Sequence, residues 1–403
     1  GLAAAALLLA WLQRRVAQDE SRVDGPLLVA AGTATYLLCL GAFDLLPPAA
    51  LPAGWLLVAL GLASFGREVR DTAFTVAASA AAALAVGDAV RLVPELWNAG
   101  IGSLVGSPAL TGSLPEPGRA LLVVALPAAL LVTLAPLLGG PPRLRRFAGI
   151  AAAVLGLAAL YVLAKQPFGI ASPEDFTLRG FAERTAITQL LFALGWALAT
   201  RRLRLPRVDP DRLARLGGAI TLVAALRLIW FDMLIHNPLL DPQWVGSLPV
   251  LNLLLPAYFL SALWLYDARR RADLETRSGF WLAAFLAASV AGVMLAVRQV
   301  FQGPILADLD SWPRAEIYMY SLAGLLLSAA LIVGGIRLED KAVRLAGLAL
   351  LAATILKVFG SDAAALEGIL RILSFFGLGV GLIGVALLYG PVLRAEGKAG
   401  GPQ

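Results

Sequence analysis

Two short stretches of this chain hold polar residues whose types and spacing suit binding chemistry. Lys165-Gln166 precedes Glu183 and Arg298-Gln299 precedes Glu316, and in each case the glutamate lies eighteen residues after the cation. Tyr318 and Tyr320 follow the second glutamate. A cation beside an amide, with a carboxylate across one loop, suits a phosphate- or sugar-bearing headgroup. The cation takes the anion, and the carboxylates and amides take hydroxyls. Lys165, Gln166, Glu183, Arg298, Gln299, Glu316 and Tyr320 are therefore the expected ligand-binding residues. The same pattern also admits a plainer reading, in which these charges pair with one another and lock loop to helix.

A second set lies inside apolar runs: Arg227 with Asp232, and Lys357 with Asp362. A charge at membrane depth costs about 2.5–3.5 kcal/mol on insertion scales, so such residues face the interior, pair, or serve function. Five residues on an α-helix turn through about 500°, which disfavours pairing within one helix. Pairing of Arg227 with Asp362 and of Lys357 with Asp232 is the sharper expectation; snorkelling to the outer interface is its alternative. His236 follows Asp232 by four residues and precedes Asn237-Pro238, where the proline ends the helix. It reads as an interfacial hydrogen-bonding residue or, alternatively, as a base.

Other chemistry finds little support. The chain has one cysteine, Cys39, and one histidine, too few for a Cys/His metal cluster. Neither a phosphate-binding glycine loop nor a nucleophile elbow is present. No metal and no cofactor are expected, no catalytic residue is identified, and the balance leans away from an enzyme. The net charge of +6 does not signal nucleic acid, because the basic residues occupy short connections between apolar runs.

Those runs are the elements that must position the polar residues. Of the 403 residues 59% are hydrophobic and only 15% charged, against about 25% charge in a soluble domain. The runs are long enough to cross a ~30 Å hydrocarbon core, and they do not alternate apolar with polar. The fold class is all-α, a polytopic transmembrane bundle of about thirteen spans. Their expected limits are 1–12, 26–46, 53–66, 73–94, 118–138, 147–164, 183–200, 213–235, 248–266, 279–297, 315–336, 342–360 and 369–391. Every second connection is basic, from Arg14-Arg15 through Arg143–Arg146 and Arg269–Arg271 to Arg394 and Lys398. By the positive-inside rule these connections and the C-terminus are cytoplasmic. The chain starts at Gly1 within an apolar run, which reads as the covered part of a longer protein.

The recurrence extends beyond the cation–glutamate spacing. Arg215-Leu216-Gly217-Gly218 matches Arg344-Leu345-Ala346-Gly347, and Arg227 and Asp232 match Lys357 and Asp362. Two parallel four-helix repeats are expected at 147–266 and 279–393. Residues 1–146 are expected to form an N-terminal helical part that reads as a diverged third copy, and 394–403 a cytoplasmic tail.

The stretch Leu356-Lys357-Val358-Phe359, Asp362, Leu366-Glu367-Gly368 and Arg371-Ile372-Leu373-Ser374-Phe375-Phe376-Gly377-Leu378-Gly379 resembles a bacterial family of predicted membrane proteins, domain of unknown function 2339. Glu316, Tyr318, Tyr320 and Ser321 are similar to it as well. The resemblance is good over 298–393 and fainter over 160–393. Gly360-Ser361 departs from the bulky apolar residue more usual there. It implies a long, many-spanning protein of the bacterial cytoplasmic membrane and no established activity. Joined to the outward-facing polar motifs, it leads to an expected role in transporting, flipping or presenting an envelope lipid or glycan. A membrane-embedded transferase using a lipid-linked donor and a non-catalytic scaffold for envelope proteins are the alternatives. The bilayer is the one certain partner; a lipid or glycan ligand is expected, no nucleic acid, and protein partners are unknown.

Overall fold

The computed structural model describes residues 25–69, 71–139, 142–204, 208–272, 278–307 and 312–358, with Gly379 and Ile383. The expected span at 1–12, that at 369–391 apart from those two residues, Asp362 and the tail at 394–403 lie outside the described residues. Among the described residues the chain is helical, and its one β-like contact is an isolated antiparallel bridge between Trp244 and Ile305. The helices are α1 Gly25–Leu45, α2 Leu51–Val69, α3 Thr72–Arg91, α4 Pro94–Leu104, α5 Pro117–Leu134 and α6 Pro142–Lys165. They continue with α7 Pro173–Ala199, α8 Pro210–Ile235, α9 Ser261–Arg271, α10 Ser278–Gln302, α11 Arg314–Arg337 and α12 Lys341–Lys357.

Eight of these segments are long and apolar enough to cross a bilayer: α1, α2, α3, α5, α6, α8, α10 and α11. With the composition, this makes the protein a multi-pass α-helical membrane protein. Helices are the form such sequence takes in lipid, because each closes its own backbone hydrogen bonds. Their ends are set by caps: Asp71 accepts from Ala73 N at 2.7 Å, and Asp340 accepts from Ala342 N and Val343 N at 3.1 and 3.2 Å.

Two boundaries differ most from those expected. α7 begins at Pro173, ten residues before the expected span, because Ser172-Pro173-Glu174-Asp175 forms a capping box. Asp175 N donates to Ser172 Oγ at 3.1 Å, and Ser172 N donates back to Asp175 Oδ2 at 3.2 Å. The hydroxyl of Ser172 and the neighbouring amides hold the Asp175 carboxyl below its ordinary range. The ninth span, expected at 248–266, is shifted toward its C-terminal end. Residues 248–253 are irregular, a π-helical segment covers Leu255–Leu260, and α9 follows to Arg271. Gly246 at φ +118° and Val250 at φ +70° turn the chain before the helix, and Asn252 Oδ1 caps it by accepting from Leu254 N at 2.9 Å.

The chain divides into two compact units, residues 1–180 and 181–403. The core of the first unit rests on an alanine-rich α3, whose Ala73, Ala77, Ala78, Ala81, Ala85 and Ala89 are buried with Leu56 and Leu62 of α2 and Leu131 of α5. Small residues let membrane helices approach closely where no hydrophobic drive separates protein from lipid. The second unit uses the same device at two places. A Cβ on Gly217 of α8 would lie 2.4 Å from Ala199 N of α7, and one on Gly347 of α12 would lie 2.9 Å from Ile332 N of α11.

Candidate functional site

The candidate site lies in the second unit, where two helices widen. Residues Leu228–Ile235 at the end of α8 and Leu255–Leu260 before α9 are π-helical. Hydrogen bonding from residue i to i+5 is rare in proteins and is frequent at functional sites. It carries over to His236, whose N–H donates to Phe231 O at 2.7 Å. The widened turns bring Asp232 inward, 1% exposed, and place the fully buried Tyr258 against it. The Tyr258 hydroxyl donates to Asp232 O at 2.7 Å, so the two π segments are tied side chain to backbone.

Arg184 of α7 completes this node. Its Nε donates to Asp232 Oδ1 at 2.9 Å, and Nη2 donates to Gln243 Oε1 at 3.3 Å. Gln243 Nε2 donates to Asp241 Oδ2 at 3.3 Å, and that oxygen also lies 2.7 Å from His236 Nδ1. The result is an unbroken hydrogen-bonded chain from Asp232 through Arg184, Gln243 and Asp241 to His236. All but Asp241 are less than a tenth exposed. Burial, and then the Arg184 guanidinium, lower the His236 pKa; Asp241 and Asp232 oppose this and do not overcome it.

A second node sits on α10 and α11. Arg298 and Glu316 are both fully buried, and Arg298 Nη1 donates to Glu316 Oε1 and Oε2 at 2.9 and 3.1 Å. Tyr320 Oη donates to Glu316 Oε1 at 2.8 Å, one helical turn on. The Arg298 guanidinium also lies 4.1 Å from the ring centre of Trp312, a cation–π contact. A carboxylate that already accepts four bonds, the fourth from Gln302 Nε2 at 3.4 Å, is a poor general base, and a guanidinium so engaged is an anion site that must first open.

The irregular stretch 243–254 connects the two nodes. Val245 N donates to Pro304 O at 2.9 Å beside the Trp244–Ile305 bridge, and Leu253 N donates to Val245 O at 2.9 Å. Gln299 Nε2 donates to Gly246 O at 2.7 Å, and Asn252 Nδ2 donates to Gln299 Oε1. Phe181, Val245, Leu254, Tyr258, Leu295 and Leu306 close an apolar cluster around these bonds.

The residues singled out from sequence fall as follows. Arg298, Glu316 and Tyr320 come together in one node, with Gln299 one residue away pinning the turn. Asp232 is paired with Arg184, where Lys357 was the expected partner; Lys357 Nζ donates to Ile317 O at 3.0 Å and Ser321 Oγ at 2.6 Å. The Arg227 guanidinium lies 5.0 Å from the Phe231 ring centre. Glu183 is buried on α7. Lys165 and Gln166 belong to the first unit: Lys165 Nζ lies 5.7 Å from the Tyr161 ring centre, and Gln166 Nε2 donates to Val162 O at 3.3 Å. Asp241, Gln243, Asn252 and Tyr258 were not anticipated. The run Asp241-Pro242-Gln243-Trp244 between Pro238 and Gly246 was a signal for the first two, since buried acids and amides need partners. Among the described residues no group of three His, Cys, Asp or Glu side chains could hold a metal ion.

Comparison with known proteins gives one match. The family described as predicted membrane protein (DUF2339) matches residues 1–391, well beyond the C-terminal stretch that carried the resemblance. No curated protein and no solved structure matches the chain.

Proposed function

The chain belongs to the DUF2339 family of predicted membrane proteins, and from that premise we propose that it transports, flips or presents an envelope lipid or glycan at the extracytoplasmic face of a bacterial cytoplasmic membrane. The observation that carries this reading is the buried polar layer of the second unit, set where two π-helical segments flank an irregular stretch of chain. Irregular backbone at membrane depth is tolerated where protein buries it or where it lines a polar path, and interrupted helices of this kind form transporter binding sites. In this reading Arg298–Glu316 and Arg184–Asp232 are the closed form of the site. A ligand phosphate or sugar hydroxyl takes the place of a carboxylate, with Gln299, Tyr320 and Glu183 as further contacts. The alternation of basic connections supports a cytoplasmic C-terminus.

Two four-helix repeats, at 147–266 and 279–393, are part of the proposal. Ala199 and Ile332 are separated by the offset that relates Glu183 to Glu316. Gly217 and Gly347 are separated by the offset that relates Asp232 to Asp362. A Cβ on either glycine would meet the amide of that residue of the preceding helix, which supports the repeat reading.

One observation favours a second reading, a non-catalytic scaffold: Arg298 and Glu316 satisfy each other at zero exposure. Glu316 so held gives little support to a transferase that uses it as base. Native mass spectrometry of the protein purified from its own membranes separates the readings. The comparison is with Arg298→Ala/Glu316→Ala and with Gln299→Ala, which leaves the ion pair in place. A defined lipid or glycan carried by the wild type and lost from both variants is the expected result. The same bulk phospholipid in all three would overturn lipid or glycan handling at this site and leave the scaffold.

A further inference from the structure

We propose that His236 is a reversible proton-binding site, so that the second unit takes up a proton as a ligand in its own right and loosens its 243–254 turn when it does. The inference rests on the hydrogen-bonded chain that ends at this ring and stands independently of any lipid or glycan role.

Charged groups facing His236 include Arg184 on α7, Asp232 on the π-helical end of α8, and Asp241 on the ring's own loop. The entry atom follows from the geometry. An ionised Asp241 2.7 Å from Nδ1 fixes the neutral ring's hydrogen on Nδ1, because a carboxylate can only accept. A second proton on the ring therefore goes to Nε2, with Asp241 beside Nδ1 to balance the imidazolium. Burial and Arg184 keep the ring neutral until the medium is acidic.

The same chain says what protonation moves. Asp241 Oδ2 is shared between His236 Nδ1 and Gln243 Nε2. A charged imidazole draws this oxygen to itself and weakens its bond to Gln243. Gln243 is followed by Trp244 and Val245, which hold the turn to Pro304 and Ile305.

The chain contains a single histidine, so protein labelled with ring-15N histidine reports this site alone. In nanodiscs, the wild-type ring should titrate once, reversibly, with a midpoint below about 6.5. Asp241→Asn should lower the midpoint by one pH unit or more, a tenfold loss of proton affinity. Hydrogen exchange of the Val245 and Leu253 amides, corrected for the intrinsic effect of pH, should quicken about tenfold across the same midpoint. In His236→Gln that exchange should be independent of pH. A ring that titrates at the exposed value, one that does not titrate reversibly, or exchange that ignores the midpoint would each overturn the proposal. Should a variant fail to fold, the wild-type titration and exchange decide alone.

Discussion

Replacing Glu316 with alanine leaves the Arg298 guanidinium at zero exposure without its carboxylate, and the size of the penalty follows from that burial. Two unit charges about 4 Å apart attract by roughly 4 kcal/mol at an effective dielectric near 20. Breaking a buried pair from one side costs about 3–5 kcal/mol, because the remaining charge stays desolvated. Arg298→Met should cost a similar amount, since Glu316 then keeps only the Tyr320 hydroxyl and the weaker 3.4 Å bond from Gln302. Removing both charges removes the stranded ion. The double variant Arg298→Met/Glu316→Leu should therefore be less destabilised than either single one, with a coupling of several kcal/mol. Reversible unfolding in mixed micelles, followed by circular dichroism, measures all four corners of this cycle. Single variants that cost under about 1 kcal/mol would mean the pair is solvated. A double variant equal to the sum of the singles would mean the two groups do not interact. Either result would refute the assignment of a dry ion pair between α10 and α11.

Three further outcomes are expected. Gly217→Ala puts a methyl group 2.4 Å from Ala199 N and should destabilise the protein by about 1–3 kcal/mol, whereas Gly218→Ala, with nothing within 4 Å, should be neutral or stabilise by up to ~1 kcal/mol; thermal melts in detergent compare them. Gln189 donates to Pro256 O and Ser261 Oγ at 2.8 Å and accepts from Trp264 Nε1 at 3.0 Å, so Gln189→Leu should cost about 1–3 kcal/mol and change Trp264 fluorescence. Burial alone would raise the Asp340 pKa, but Arg269 and the amides of Val343 and Ala342 lower it below the ordinary value. Its contribution, about 1 kcal/mol for the cap, is present above pH ~4 and is lost as pH falls through the depressed pKa; Asp340→Asn should remove that acid-side slope from a stability profile.

Much of the architecture was legible because the bilayer makes composition decisive. Apolar runs such as Ala148–Leu163 or Leu322–Val333 have one stable form in lipid, and the helices fall where those runs lie. What escaped was local. The Ser172-Pro173-Glu174-Asp175 cap sits in a polar stretch that hydropathy assigns to a loop, although its residue types state a helix start. In 248–253 the run Leu248-Pro249-Val250-Leu251 is apolar enough for a span, yet Gly246 and Asn252 give the backbone other partners. The site was half legible. Arg298 and Glu316 were found because a repeated spacing marked them, and they are indeed in contact. The partner of Asp232 was misjudged because the repeat correspondence pointed to Lys357, while α-helical geometry spoke only against Arg227, and a π-helical turn has no signature in apolar periodicity. Arg184 reaches Asp232 across 48 positions of sequence, which no local pattern encodes.

The widened turn at Leu228–Ile235 makes the length of α8 part of its chemistry. A π-helical stretch accommodates one residue more than an α-helix of the same rise, so its two flanks face directions that a uniform helix could not combine. Ala224 and Ala225 pack into the core ahead of it, and Asp232 still points inward behind. Deleting one residue between 228 and 231 would return the segment to α geometry and leave what lies beyond it nearly in register, because the widened turn has absorbed that residue. Asp232 would then keep its facing toward Arg184 and His236 its facing toward Asp241, although the helix had lost a residue. Relatives whose eighth helix is one residue shorter should thus be able to keep the carboxylate, the arginine and the histidine together, as a linked set.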